Sequence, residues 1–76
     1  MSKIEMIIEY ITQEIVMLVV KEKKIEYDQA MNLFYSSKIY EKLIDSETGL
    51  YLESTPYIYD LFKEELKNGL VVQAEI

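Results

Sequence analysis

Ile4, Ile7, Ile8, Ile11, Ile15, Leu18 and Val19 recur at intervals of three and four residues, which at 100° per residue places them on one arc about 120° wide. This spacing predicts an amphipathic helix over residues 2–24. Glu5, Glu9, Thr12 and Gln13 form its solvent side, and Lys21, Lys23 and Lys24 lie at the end where positive charge complements the helix dipole. The run Ile15 to Val20 is rich in branched side chains and also fits a strand. The helical period, however, extends more than two turns upstream without a breaker, and helix is the stronger reading.

After this segment the pattern breaks at Ile25-Glu26 and resumes with an acidic first turn. Gln29 sits where a capping-box residue belongs, and Ile25 is placed to staple onto Ala30. A second helix is expected over 27–35, with Tyr27, Ala30, Leu33 and Phe34 inward and Glu26 as an imperfect N-cap. Ser36-Ser37 interrupts it. A third short helix over 37–45 turns Ile39, Tyr40, Leu43 and Ile44 to one face, and Asp45-Ser46-Glu47-Thr48-Gly49 reads as a turn whose Gly can take a positive φ. Residues 50–53 read as a short extended segment. Ser54-Thr55-Pro56 then announces a fourth helix over 56–68, with Thr55 as N-cap and Pro56 at the first helical position. Its buried stripe is Ile58, Leu61, Phe62 and Leu66; Asp60, Glu64 and Lys67 are its wet side, and Gly69 is its stop. Residues 70–73 are expected to form either a strand or a docked tail. The fold class is therefore all-α, a single domain built as a bundle of about four helices.

A second apolar stripe complicates the first helix. Met6, Tyr10 and Met17 lie near one direction, flanked by Val16 and Val20. Either this helix is central and buries both faces, or the stripe meets another chain. The tyrosines pose the same choice. Seven occur, and Tyr35, Tyr40, Tyr51, Tyr57 and Tyr59 cluster in the middle and fourth-helix regions. Tyr suits an interface because it joins a large apolar ring to a polar tip, while a small helical core can equally use it at its rim. Met6, Tyr10, Met17, Val20, Tyr51 and Tyr57 are thus the candidate interface residues.

Composition narrows the chemistry. The chain has 76 residues, eight Lys, no Cys and no His, and a net charge of −6. The absence of Cys excludes disulfides and thiolate chemistry, and the absence of His removes the commonest general base and transition-metal ligand. No catalytic, cofactor-binding or metal-binding pattern is present, no small-molecule substrate is indicated, and a non-enzymatic role is expected. All basic residues being Lys, there is no guanidinium fork to read guanine or phosphate, and the negative charge repels nucleic acid and anionic lipid. Asp45 to Gly49 fails as a calcium loop because its sixth position is Leu50 and its twelfth is Pro56. A helix-turn-helix across Ser36-Ser37 lacks both a turn Gly and base-reading side chains. Glu64-Glu65 reads as helix surface. With neither a signal-peptide pattern nor an apolar run long enough to span a bilayer, a soluble cytoplasmic protein is expected.

The stretch Ala30-Met31-Asn32-Leu33-Phe34-Tyr35-Ser36-Ser37-Lys38-Ile39-Tyr40, then Glu47-Thr48-Gly49-Leu50-Tyr51 and the helix from Pro56 through Leu66, resembles a family of short uncharacterised bacterial helical proteins. Their pattern is A-x-x-L-F-Y-x-S-x-x-Y followed by E-T-x-L-Y and a Pro-initiated helix. The resemblance covers about residues 26–68 and departs from the pattern at Glu26, where the family carries Ser or Thr. It implies no catalytic residue. It implies a place near mobile or toxin–antitoxin-like gene clusters, compatible with a binding or neutralising role. Two functional expectations follow: a protein-interaction module, homodimeric or bound to another protein, and alternatively an accessory or antitoxin-like regulator that binds a protein or nucleic acid.

Overall fold

A computed structural model describes residues 2–69, and among these the chain forms four α-helices and no strand. The first, α1 (Lys3–Lys23), opens with a complete capping box. Glu5 N–H donates to Ser2 Oγ at 3.1 Å and Ser2 N–H to Glu5 Oε1 at 3.0 Å. It ends at Lys24, whose φ of 55° lies in the left-handed region and whose N–H donates to the Val20 carbonyl. A side chain other than Gly or Asn is uncommon there.

Helix α2 (Tyr27–Tyr35) starts where the sequence pattern places it. Gln29 Oε1 accepts the Glu26 N–H at 3.0 Å, and Ile25 packs against the core that holds Ala30. Helix α3 (Lys38–Ile44) is shorter by one residue at each end than the expected 37–45. Ser37 is its N-cap, accepting the Tyr40 N–H at 3.1 Å, and Asp45 has already left the helix.

Of the expected extended segment 50–53, only Glu53 is extended. Two 3-10 turns, Ser46–Thr48 and Leu50–Leu52, meet at Gly49, which has φ 70°. Among the described residues there is no strand for an extended segment to pair with, so the backbone satisfies itself locally. Leu52 and Glu53 N–H groups donate to Gly49 and Leu50 carbonyls, and Thr48 Oγ1 donates to the Lys42 and Asp45 carbonyls while accepting the Leu50 N–H.

Helix α4 (Thr55–Glu64) is capped by Ser54 rather than Thr55, the Ser54 hydroxyl accepting the Tyr57 N–H. Pro56 therefore stands second in the helix. That position costs nothing, because a first-turn N–H has no intrahelical partner to lose. The helix continues beyond Glu64 as a π-helical turn, Glu65–Gly69, so Gly69 belongs to the helical path and does not end it at 68. The expected strand or docked tail at 70–73 lies outside the described residues.

The core joins Ile11, Ile15, Val16 and Val19 of α1 with Ala30 and Phe34, Ile39 and Leu43, and Ile58, Tyr59 and Phe62. Phe34 is at its centre, edge-on to Phe62 at 5.1 Å and to Tyr40 at 5.4 Å between ring centroids. The buried arc of α1 is turned by about 50°, half the angle between successive residues, from the expected one. Thr12 and Val16 are buried, whereas Ile7 is exposed and Ile4 only half-buried. Thr12 tolerates this because its hydroxyl donates to the Ile8 carbonyl at 2.7 Å. Tyr27 and Ile44, expected to point inward, are exposed, and Tyr59 is buried beside the expected stripe of α4.

Candidate functional site

The turn of α1 toward Thr12 and Val16 leaves its opposite side uncovered. Met6, Tyr10 and Met17 are 57%, 63% and 56% exposed, and Val20 is half-buried at the edge of the core. Val16, read from the sequence as a flank of this stripe, is instead wholly buried. Tyr10, Gln13, Glu14, Met17, Leu18, Val20 and Lys21 border a depression of about 660 Å3, and Met6, Glu9, Tyr10 and Gln13 border a second of about 280 Å3. Every one of these residues is on α1. A hollow with one wall is the open flank of a helix and not a cavity, so a small molecule would find no enclosure there. What the surface offers is length, a strip running from Met6 to Val20.

Tyr51 and Tyr57 do not border this strip. Tyr51, in the Leu50–Leu52 turn, is half-buried against the core, and Tyr57 is exposed on the first turn of α4. The six candidate residues therefore divide into four on one helix face and two elsewhere.

Two polar arrangements were not legible in the sequence. The first is at Tyr59, whose ring is buried between helices. Burial raises its hydroxyl pKa to about 12, assisted by the nearby Glu22 carboxylate, which favours the protonated phenol over the phenolate. The Lys63 Nζ lies 4.7 Å from the ring centroid and 3.7 Å from Asp60 Oδ1 on the exposed side. A phenol held this firmly protonated is a poor base or nucleophile at neutral pH. Tyr40 is shifted upward in the same sense, by burial first and by neighbouring Tyr35 second. The rings of Tyr35 and Tyr40 lie 4.9 Å apart and, with Ile8, Glu9 and Thr12, border a crevice of only about 150 Å3.

The second arrangement overturns the reading of Glu65 as helix surface. Lys38 and Ile39 N–H groups donate to Glu65 Oε2 and Oε1 at 2.8 and 3.0 Å. With Ser37 taking the Tyr40 N–H, all three leading donors of α3 have acceptors, and a carboxylate faces the positive end of that helix. The only sequence signal was a shortfall: Ser37 can satisfy one of those donors and no neighbour in the sequence supplies the others. The acceptor comes from 26 residues away, in the π-helical turn.

Among the described residues no group of acidic side chains is arranged to hold a metal ion, and no helix is long and apolar enough to cross a membrane. Comparison of the chain with protein-family models, curated proteins and solved structures finds no match.

Proposed function

We propose that this chain is a small non-enzymatic protein-interaction module whose working surface is the outer face of α1. The observation that carries this reading is that Met6, Tyr10 and Met17, three large side chains aligned on one helix face, are each more than half exposed. Exposed apolar side chains scattered singly are ordinary, whereas several aligned on one rigid element mark a contact surface. The residue types also suit contact. Methionine adapts its unbranched chain to a partner, and tyrosine brings a large ring with a hydroxyl that stays hydrated or bonded.

The test is Met17→Glu. Position 17 is outside the core, so the variant keeps its helical circular dichroism and its stability within about 0.5 kcal/mol. Native mass spectrometry of wild type and variant prepared from the same cells is expected to show the wild type with a companion, a second copy or another protein, that the variant lacks. A variant that keeps every companion of the wild type removes the proposal. So does one that unfolds, since Met17 would then belong to the core.

A further inference from the structure

A different side of α1 is covered at one end and open at the other. Ile4, Ile7, Ile11, Ile15, Leu18 and Glu22 follow at intervals of three, four, four, three and four residues, which sets them in one line along the helix. At 100° per residue this line is about a third of a turn from the strip of Met6, Tyr10 and Met17. Ile11 and Ile15 are buried and Leu18 is half-buried, whereas Ile7 is 40% exposed and Ile4 half-buried. The covering element is α4, which packs against α1. Tyr59 lies near Glu22, at the far end of the line. Phe62 then meets Phe34, and Glu65 accepts the N–H groups of Lys38 and Ile39, next to Tyr40, which borders Ile8 and Thr12. The helix therefore runs back along α1 toward its first turns. Leu66 is its last described apolar residue and packs on the core. From Tyr59 to Gly69 the helical path advances roughly 15 Å, which brings it about level with Thr12 and short of Ile7.

We infer that residues 70–76 complete the cover, with Leu70, Val71 and Val72 laid over Ile7 and Ile4 of the same chain. The segment leaves Gly69 at the open end of the line. It begins with three successive aliphatic residues and carries a single charge, Glu75, so it suits an aliphatic face that water would otherwise wet. Its reach is sufficient. Ile7 and Ile4 are roughly 8 and 12 Å further along α1 than Thr12, within the span of three or four extended residues. Tethered at Gly69, the segment meets this face at an effective concentration far above that of a second copy. The contact is separate from the outer strip and stands whatever covers Met6, Tyr10 and Met17.

Ile7→Gln, Val71→Asn and the double variant are compared with the wild type by thermal melting. Ile7 is outside the core, so Ile7→Gln keeps its helical circular dichroism. Val71→Asn is expected to lower the midpoint by several degrees in the wild type and not at all in Ile7→Gln, where the contact is already broken. An equal fall in both backgrounds, or no fall in either, overturns the inference. A second measurement is independent of stability. Because the chain has no cysteine, Gln73→Cys accepts a single spin label. Relaxation enhancement in isotope-labelled protein is expected to broaden the amide signals of Ile4 and Ile7 and to spare those of Lys21 and Lys24, roughly 20–30 Å away along α1. Broadening without that preference overturns the docking. When spin-labelled chains without the isotope are mixed with isotope-labelled chains without the spin label, the signals of Ile4 and Ile7 are expected to stay sharp. Broadening in the mixture assigns the segment on this face to a second copy and overturns the same-chain contact.

Discussion

Tyr59 shows what one buried hydroxyl does to stability. Its ordinary pKa is 10.0 and its folded value is about 12, so the folded chain holds the proton more tightly than the unfolded one. The resulting stabilisation is complete below pH 10 and is lost as pH rises from 10 through about 12. Thermal unfolding across that range is expected to show a falling midpoint in the wild type and a shallower fall in Tyr59→Phe, the difference between them isolating the phenol from the lysines that also lose charge there. Lys24 works in the opposite sense. It occupies a left-handed conformation at φ 55° that penalises its Cβ, so Lys24→Gly is expected to raise stability by about 0.5–1 kcal/mol in denaturant titration, the relief of strain exceeding the added flexibility of the unfolded chain.

Among the elements, α3 depends most on the rest of the molecule. Seven residues make fewer than two full turns, too short to persist alone in water. Glu65→Ala leaves the Lys38 and Ile39 N–H groups to solvent and is expected to cost about 1–2 kcal/mol, the loss of two charge-assisted bonds partly replaced by water. Glu65→Gln keeps one acceptor oxygen and should cost about half as much; thermal melts resolve both, since 1 kcal/mol moves the midpoint of a domain this size by about 4–8 °C. This element also marks where sequence reading stops. The positions of all four helices were legible because period and caps are local: the three- and four-residue spacing of α1, Gln29 behind Glu26, Ser36-Ser37 between α2 and α3, Pro56 in the first turn of α4. What is not local was missed. Glu65 meets α3 across a gap no spacing rule spans, and the burial of Thr12 and Val16 in place of Ile7 depends on where α2 and α4 come to rest. Leu50 to Leu52 turn because Thr48 Oγ1 accepts the Leu50 N–H and Gly49 takes a positive φ just before them, a pairing that the apolar residues themselves do not announce.

At the scale of the whole molecule, the candidate site was legible in its residues and illegible in its state. Met6, Tyr10 and Met17 were visible as a second stripe, yet only the docking of the other helices on the Thr12 side shows that the stripe is left uncovered. If two copies cover it for each other, stability depends on concentration, because association stabilises whatever binds only the folded form. Scanning calorimetry is expected to show a midpoint that climbs with each tenfold increase in wild-type concentration and stays constant for Met17→Glu. The clamp from Glu65 to Lys38 and Ile39 governs a different property, the order in which the chain comes apart. It ties the final described turn to the start of α3 and so closes a loop of nearly thirty residues, which cannot form early because loop closure must precede its reward. Fraying from the C-terminal side of α4 thus uncaps α3 in the same step, and the amide protons of Lys38 and Ile39 should exchange with solvent at one shared rate, as a single opening unit rather than two independent ones.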